Sequence, residues 1–309
     1  MTKKHTIAAL GEAHGDAWQL LNGDCIEVMR QLPPASVDLA VYSPPFSNLY
    51  CYGPSERDMG NSVDDAQFLA HYRFMVDELL RVLRPGRVAA IHCKDLVNYK
   101  GRDGMAGLRD FPGDLIRIHT AAGFAYHSKV TIWKCPVTEM TRTKAHGLLY
   151  KQLRTDSSFS RQGLAEYIVV VRKWAKDGAD EDLVSPVTHT KEEFPLEQWQ
   201  RWASPVWDDI DDMDVLNVQQ ARDSKDEKHM CPLALPIIER CVGLWSNPGD
   251  VVLSPFAGIG SEGWQAVKMG RRFLGIELKD TYFAHAARNL EIAEHQSGQI
   301  DLFAAPRAG

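Results

Sequence analysis

The chain has 309 residues, a formal net charge of −6 at pH 7 and a hydrophobic fraction of 44%. This length can bury a substantial core, so one large catalytic domain with an insert is expected. The net charge argues against a protein that coats nucleic acid by bulk attraction, although it allows a local basic surface. The chain has no run of about 18 uncharged apolar residues and no apolar leader, so a cytosolic protein is expected.

The first 135 residues alternate short apolar runs with amphipathic stretches, a pattern typical of strand–helix units that feed a parallel sheet. Residues 37–43 form an apolar, β-branched run that ends at two prolines, which predicts a buried strand. An apolar stripe at helical spacing predicts a helix over residues 64–83, ended by a Pro-Gly pair. A second buried strand is predicted at residues 88–92.

The C-terminal part repeats this alternation more clearly. Strands are predicted at residues 250–254 and 273–278, and helices at residues 261–269 and 281–295. Residues 134–230, which lie between the two parts, show no clear periodicity. The six cysteines lie without a CxxC pair, so they are expected to be reduced thiols rather than metal ligands.

A glycine-containing turn joins the strand at 250–254 to the helix that follows it. Gly258 and Gly260 let the backbone approach a ligand at the carboxyl edge of the sheet. Glu277 ends the next strand, where an acidic side chain can accept hydrogen bonds from ribose hydroxyls. The spacing also satisfies the nicotinamide dinucleotide fingerprint, but no second mononucleotide-binding half follows. A ligand with a ribose and no pyrophosphate, such as S-adenosylmethionine, suits this segment better.

The strand at 37–43 delivers Ser43, Pro44, Pro45 and Phe46 to the same sheet edge. The Ser43 hydroxyl oxygen and the Pro44 carbonyl can accept the two hydrogens of an aryl amine, and the prolines fix the direction of that carbonyl. Phe46 offers a face on which a flipped base can stack. Such a motif would methylate an exocyclic amino group through positioning and electrostatics. Read alone, the same four residues are also a plain turn after a strand.

Together the two ends of the chain resemble the permuted, β-class DNA amino-methyltransferases, which modify cytosine N4 or adenine N6. In that class the catalytic motif comes first, a target-recognition region follows, and the cofactor motif comes last. Residues 43–46 match the family's catalytic motif, and residues 254–260 with Glu277 match its cofactor motif. The resemblance covers residues 18–135 and 225–295.

The resemblance implies an α/β fold with a Rossmann-like methyltransferase sheet, a permuted motif order and an inserted recognition region. It divides the chain into a catalytic half (1–135), a recognition insert and connection (136–225), a cofactor-binding half of the same domain (226–295) and a flexible tail (296–309). The implied cofactor is S-adenosylmethionine. The implied cofactor-binding residues are Asp24, Cys25, His229, Cys231, Pro232, Ser254, Phe256, Gly258, Gly260 and Glu277.

Two positions depart from the commonest form of the family. Ser254 replaces the aspartate of the cofactor motif, which is expected to weaken binding without abolishing it. Ser43 opens the catalytic motif, a choice commoner among cytosine-N4 enzymes, so the sequence favours cytosine over adenine. An RNA or protein-amide methyltransferase, an inactive DNA-binding factor and a nicotinamide-dependent dehydrogenase stay as alternatives. A restriction–modification role and an orphan or phage-borne role are equally open.

Charge is distributed unevenly along the middle of the chain. Residues 134–173 carry eight Lys or Arg against three Asp or Glu, whereas residues 176–214 carry three against twelve. The basic stretch occupies the family's place for target recognition, although it could also be a solvated face. The acidic run 208–214 is expected to be a solvated loop, since its spacing fits no metal site. The DNA-binding candidates are Lys134, Arg142, Lys144, Lys151, Gln152, Arg154, Arg161 and Gln162.

The C-terminal segment 299–303 (QIDLF) resembles the pentapeptide that binds the bacterial sliding clamp. In this motif Gln299, Leu302 and Phe303 would fill a pocket on the clamp. Alternatively, the two apolar residues dock on the enzyme's own core. The expected partners are therefore double-stranded DNA, the clamp and, as a further hypothesis, a second copy of the chain.

Overall fold

A computed structural model describes residues 9–46, 59–62, 64–143, 148–176, 180–216 and 232–303. Its strands are β1 (Gly11–His14), β2 (Trp18–Asn22), β3 (Val37–Tyr42), β4 (Leu83–Lys94), β5 (Leu96–Asn98), β6 (Gly107–Arg109), β7 (Phe124–Ile132), β8 (Glu166–Lys173), β9 (Val206–Trp207), β10 (Val251–Ser254) and β11 (Arg272–Glu277). Its helices are α1 (Cys25–Met29), α2 (Asp65–Val82), α3 (Lys100–Asp103), α4 (Phe111–Ala122), α5 (Pro136–Thr143), α6 (Tyr150–Thr155), α7 (Leu196–Trp202), α8 (Leu235–Trp245), α9 (Ser261–Lys268) and α10 (Asp280–Phe303).

Nine of these strands form one sheet in the order β1-β2-β11-β10-β3-β4-β8-β7-β9. The block from β2 to β4 is parallel throughout, so the carboxyl ends of its five strands meet at one edge. β1 pairs antiparallel with β2, and β8 pairs antiparallel with both β4 and β7, whereas β9 is parallel to β7. β5 and β6 form a separate two-stranded antiparallel sheet. The predicted α/β fold is therefore confirmed.

The core lies on both faces of the sheet because alternate residues of its central strands point to opposite sides. On β3, Ala40 and Tyr42 pack with residues of α2 and α4, such as Met75. Leu39 and Val41 pack on the other face with residues of α8, α9 and α10. Every residue of β3 is buried, as expected for a strand covered on both faces.

Most predicted elements are confirmed to within a few residues: β3, α2, β10, α9 and β11 lie where the apolar patterns place them. The strand predicted at residues 88–92 is longer than expected. β4 starts at Leu83, directly after α2, because Leu83 pairs with Val37 before the main register begins at Leu39 and Val88.

Part of the range 136–225, which is predicted to be a recognition insert and connection, lies in the main sheet. β8 lies inside the sheet between β4 and β7, and β9 extends the edge beside β7. Four consecutive residues of β8, Ile168 to Val171, are fully buried, which explains why this strand joins the core. A short continuous apolar run carries no periodicity, so the sequence pattern left it unassigned.

The expected tail at residues 296–309 also begins later than predicted. Helix α10 continues through Phe303, eight residues past the predicted end at residue 295. Ser297 Oγ donates to the carbonyl of Ala293 at 2.9 Å, so its side chain bonds to the preceding turn rather than ending the helix. The QIDLF segment therefore lies in the last turns of α10 rather than after the helix.

A buried cluster of charges joins three strands at the amino edge of the sheet. Arg87 of β4 is 2% exposed and donates to Asp250, which precedes β10, at 2.8 Å. Asp38 of β3 lies 3.6 Å from Arg87 and 3.0 Å from Arg84. Because charges in the interior need partners, this cluster holds the amino ends of β3, β4 and β10 in register.

Replacing Arg87 with methionine keeps the apolar stem and removes the guanidinium that pairs with both carboxylates. Since this leaves Asp250 without its charged partner, we expect Arg87→Met to lower the free energy of unfolding by about 3–5 kcal/mol. Urea titration followed by circular dichroism measures the change. Arg73→Met breaks only the exposed pair with Asp77 and should cost less than about 1 kcal/mol. Equal losses in the two variants would contradict the assignment.

Candidate active site

The catalytic and cofactor motifs leave the sheet side by side. β3 and β10 are neighbouring parallel strands, with Leu39 opposite Val252 and Ala40 opposite Leu253. The loops that follow them therefore start at the same edge. Tyr42, directly before the catalytic motif, lies against Phe256 of the cofactor motif with ring centroids 5.9 Å apart. Two segments more than 200 residues apart in the sequence thus form one site.

The glycine turn has a backbone conformation that side chains rarely adopt. Gly258 and Gly260 have φ angles of 54° and 87°. A Cβ atom on Gly260 would lie 3.3 Å from the Cα atom of Ala286 in α10, whereas one on Gly258 would extend into open space. The turn therefore packs closely on one side and leaves room for a ligand on the other.

Glu277 connects the glycine turn to the end of β2. Its Oε2 accepts the Gly258 N–H at 2.7 Å, and its Oε1 accepts the Lys279 N–H at 2.8 Å. Its carbonyl accepts from the Asn22 side chain at 3.1 Å and from the Gly23 N–H at 3.0 Å. The predicted acidic residue is thus held in place at the carboxyl edge of β11.

Asp24 and Cys25 follow directly, because β2 pairs with β11 and ends opposite Glu277. Asp24 Oδ1 accepts the Ile26 N–H at 2.8 Å and caps α1, so this carboxylate has a structural role beside the predicted one. The Cys25 thiol is buried. Burial raises its pKa, and the negative charge of Asp24 raises it further by a smaller amount. Cys25 therefore packs as a neutral side chain.

Two buried hydroxyls flank the glycine turn. Ser254 ends β10 and Ser261 begins α9, and neither hydroxyl has a hydrogen-bond partner among the described residues. Buried polar groups normally have partners. With the open space at Gly258 and the acid at Glu277, these hydroxyls fit a polar ligand that carries a ribose.

The start of α8 also reaches this turn. Ile259 packs with Leu216 and Leu235 in a small cluster. Pro232, one of the predicted cofactor residues, is half-buried three residues before Leu235. The predicted His229 and Cys231 lie outside the described residues.

The catalytic motif is positioned by contacts that the sequence did not reveal. Tyr42 pairs with Ile91 of β4, so Ser43 lies beside His92, and Ser43 Oγ is 2.9 Å from His92 Nδ1. Pro44 is buried, and Phe46 lies edge-on to His92 and Phe111 with centroids 6.5 Å and 6.2 Å apart. His92 could have been noticed as a polar residue near the end of an otherwise apolar strand.

Seven of the eight predicted DNA-binding residues fall into three groups. Lys151, Arg154 and Gln162 are exposed, whereas Gln152 and Arg161 are half-buried. Arg161 and Gln162, with Trp133 and Tyr150, line an open cavity of about 610 Å³ beside β7. The side chains of Arg142 and Lys144 lie outside the described residues.

Lys134 is placed differently from the prediction. Its ammonium group pairs with Glu166 at 2.7 Å and with Asp212, and its side chain is 11% exposed. It is therefore part of an internal ion-pair chain rather than a free contact for DNA. Two further residues of the basic stretch, Arg172 and Lys173, bind backbone carbonyls near the start of β4, at the opposite sheet edge.

The acidic run 208–214 is not merely a solvated loop. Asp209 pairs with Arg240 at 2.8 Å and with Arg201 at 2.9 Å, and Asp212 pairs with Lys134. Asp214 accepts the Leu235 N–H through its carbonyl at 2.8 Å. The acidic run therefore binds to α8 through Arg240 and Leu235, and to Lys134, two residues after the end of β7.

A parallel sheet with a glycine turn, an acid at the next strand end and a Ser-Pro-Pro-Phe loop beside it defines an S-adenosylmethionine-dependent methyltransferase. The chain belongs to the N6/N4 DNA methylase family, whose model matches residues 37–288. It is 23% identical to the DNA adenine methyltransferase YhdJ of Escherichia coli K12 over 92% of this chain and 86% of that one.

Solved structures agree with this assignment. TTHA0409 of Thermus thermophilus, a putative DNA modification methylase complexed with S-adenosyl-L-methionine, has a TM-score of 0.63 and 26% identity, covering 89% of this chain and 95% of that one. The cytosine-N4-specific PvuII DNA methyltransferase shares the fold with a TM-score of 0.65 and 14% identity, covering 96% and 95% of the two chains. S-adenosylmethionine is accordingly the cofactor, and DNA is the substrate. No helix within the described ranges is long and apolar enough to cross a membrane.

Glu262 is a buried acid in the first turn of α9, two residues after Gly260, and it is 4% exposed. Burial, with a smaller contribution from the charge of Glu277, raises its pKa from the ordinary 4.5 to about 8. Because the pKa of Glu262 is higher in the folded state than in the unfolded chain, its full contribution to the free energy of unfolding is present at low pH. This contribution is lost as the pH rises from about 4.5 to about 8, because in that pH range the carboxyl ionises in the unfolded chain but not in the folded protein.

Glu262→Gln removes this pH dependence, since glutamine stays neutral. The variant and the wild type should have similar unfolding free energies near pH 4.5. At pH 8 and above, the variant should be more stable by roughly 3–5 kcal/mol. Denaturant titrations at each pH, without added ligand, measure the difference. Glu197→Gln changes an exposed acid of α7 and serves as the control. A difference that does not vary with pH would rule out a neutral Glu262.

Proposed function

We propose that the enzyme methylates the exocyclic amino group of a base flipped out of double-stranded DNA, with cytosine N4 as the target. One observation carries this proposal: the Ser-Pro-Pro-Phe loop and the glycine turn leave adjacent strands, and Tyr42 contacts Phe256 between them. A methyl donor held at the glycine turn would therefore face an amine held at Ser43.

The amino group of a base is a poor nucleophile because its lone pair is delocalised into the ring. Ser43 Oγ and the Pro44 carbonyl accept its two hydrogens, which favours a tetrahedral nitrogen and directs the lone pair toward the donor. Phe46 stacks on the ring and offsets part of the unstacking cost, which is on the order of a few kcal/mol. Bound S-adenosylmethionine supplies an electrophilic methyl group. Positioning and hydrogen bonding by residues of the chain supply the rest of the catalysis.

The proposed cofactor contacts follow from the same geometry. Glu277 accepts the ribose hydroxyls, and Gly258 and Gly260 let the backbone approach the ligand. Phe256 and Pro232 border the ligand from the ends of β10 and the segment before α8. Asp24, Cys25 and Ser254 are further proposed contacts at this edge of the sheet. His229 and Cys231, which lie outside the described residues, are proposed from the family resemblance alone.

Adenine N6 is the second candidate target. YhdJ of Escherichia coli K12 is a DNA adenine methyltransferase, and its similarity to this chain covers 92% of this chain. The Ser43 hydroxyl can accept from either amino group, so the chemistry itself does not exclude adenine. Cytosine is favoured because serine opens the catalytic motif more often in cytosine-N4 enzymes.

DNA recognition is proposed to use the exposed surface around α6. Lys151 and Arg154 would contact phosphates, and Gln162 and Arg161 would read base edges beside the cavity at Trp133. Arg142 and Lys144 stay proposed DNA contacts on the sequence alone, since their side chains lie outside the described residues. Lys134 is excluded from it because of its two ion pairs.

Ser43→Ala removes one of the two acceptors of the amino group and should reduce methyl transfer by about 100-fold or more. The assay is to express the enzyme, digest host DNA to nucleosides and weigh them. N4-methylcytosine is expected with the wild type. Ser36→Ala alters a half-buried serine just before β3, whose hydroxyl donates to the Pro33 carbonyl, and should leave the product unchanged. Methylated deoxyadenosine would select the second candidate, and product formation by Ser43→Ala would exclude the proposed role of Ser43.

We further propose that the end of α10 binds the bacterial sliding clamp through Gln299, Leu302 and Phe303. The Leu-Phe pair would supply most of the contact energy, since buried apolar anchors dominate such interfaces. A pull-down with a bacterial clamp should retain the wild type and lose both Gln299→Ala and the double variant Leu302→Ala, Phe303→Ala. Equal retention of all three proteins would exclude the motif. A homodimer stays a prediction, which sedimentation velocity would test.

A further inference from the structure

A chain of hydrogen-bonded side chains runs from Ser43 across β4 and β8. Ser43 Oγ lies 2.9 Å from His92 Nδ1, and His92 Nε2 lies 3.2 Å from Glu166 Oε2. Lys134 Nζ pairs with the same Glu166 oxygen at 2.7 Å and also with Asp212. The order Ser43–His92–Glu166–Lys134–Asp212 is referred to below as the relay chain.

Sheet pairing explains why these residues meet. Tyr42 lies opposite Ile91, which brings Ser43 beside His92. Lys94 of β4 lies opposite Glu166 of β8, which in turn lies opposite Ile132 of β7, two residues before Lys134. The relay chain therefore connects the ends of four neighbouring elements and depends on the fold rather than on any local motif.

The partners of His92 determine where its proton lies. Burial would raise the pKa of Glu166, but the hydrogen bond from His92, together with the charge and hydrogen bond of Lys134, holds it well below its usual value. Glu166 is therefore a carboxylate, which can only accept hydrogen bonds. His92 Nε2 must carry the proton that it donates to Glu166, so a neutral His92 has its free lone pair on Nδ1.

This tautomer fixes the direction of the Ser43 hydroxyl. Its proton points to His92 Nδ1, and both oxygen lone pairs remain available to an incoming amino group. Ser43 is half-exposed, whereas His92 is 8% exposed. A substrate would therefore meet the Ser43 oxygen and have no contact with His92, which lies behind it.

We propose that His92 is a positioning residue and the final proton acceptor of the methylation, acting through Ser43, with Glu166 as its counter-charge. This inference rests on the proposed function. When the amino nitrogen bonds to the methyl group, it becomes cationic and must lose one proton. That proton passes to Ser43 Oγ while the Ser43 hydroxyl proton passes to His92 Nδ1. His92 becomes an imidazolium and later returns the proton to water.

The charges of the relay chain suit this step. Glu166, Lys134 and Asp212 carry two negative charges and one positive charge between them, so the group has one net negative charge. The positive charge that His92 gains therefore neutralises it. The titratable groups next to His92 on its own strand are Cys93, whose pKa is raised by burial so that its thiol stays neutral, and Lys94, which lies over the Phe46 ring at 5.9 Å. Arg84 and Arg87 lie on the same strand at the amino edge of the sheet. An imidazolium at His92 would have the Glu166 carboxylate as its counter-charge at 3.2 Å.

His92→Asn separates positioning from proton transfer. The asparagine amide reaches the place of Nδ1 and can accept a hydrogen bond from Ser43, but it cannot take up a proton. Single-turnover methylation of duplex DNA should slow by about 100-fold or more. We expect the wild-type rate to fall at acidic pH, where an imidazolium can no longer accept the proton, and this fall to be absent in the variant. Affinity for S-adenosylmethionine, measured by calorimetry, should stay within about twofold of the wild type.

Two further proteins complete the experiment. Glu166→Gln removes the counter-charge, so it should slow transfer and move the acidic loss of rate to lower pH. His127→Asn alters an exposed histidine of β7 whose ring lies 2.9 Å from the hydroxyl of its neighbour Ser128 and is not part of the relay chain, and it should behave as the wild type does. Nitrogen-15 spectra of wild-type imidazoles should show the His92 proton on Nε2.

The outcomes separate this inference from the proposed function. A wild type that methylates no DNA base would overturn both. A methylating wild type with an unchanged rate in His92→Asn would overturn the relay alone. A His92→Asn variant that is slow but keeps the wild-type pH profile would also overturn the relay, since that result assigns His92 a purely structural role. If His92→Asn fails to fold, an unaltered rate and profile in Glu166→Gln would overturn the relay instead.

Discussion

The parallel pairing of β3 with β10 is the constraint on which the site depends. Each strand ends in a proline-containing loop, and a strand pair only about 5 Å apart places both loops at one edge. β11 and β4 then flank the pair on either side and deliver Glu277 and His92 to the same edge. A slip of one residue in this pairing would turn the alternate side chains of β3 to the wrong face of the sheet.

Charged groups serve different purposes at the two edges of the sheet. At the amino edge, Arg87 lies between Asp38 and Asp250, and the charges are paired with one another. At the carboxyl edge, the relay chain begins on the half-exposed hydroxyl of Ser43, which can still bind a substrate. The first arrangement stabilises the strands. The second connects the buried side of the sheet to the proposed catalytic loop.

The basic stretch illustrates how far charge patterns can be interpreted. Lys134, Arg154 and Arg172 look alike in the sequence, yet one is in an internal ion pair, one is exposed and one binds a carbonyl at the far edge of the sheet. Local composition records how many charges a segment has. It does not record which of them are neutralised by distant residues, because that depends on strand pairing.

The sequence by itself determined the elements whose signals are local. The apolar run of β3, the stripe of α2, the glycine turn and the two proline loops follow from periodicity and backbone restrictions within a few residues, and the ordered motifs identified the family. Only the tertiary structure decided the place of β8, the length of α10 and the contacts of Ser43. His92, Glu166 and Lys134 come from three separate segments, and no local pattern links them. They meet because hydrogen bonds between β4, β8 and β7 set their spacing, and such pairing is a property of the whole sheet.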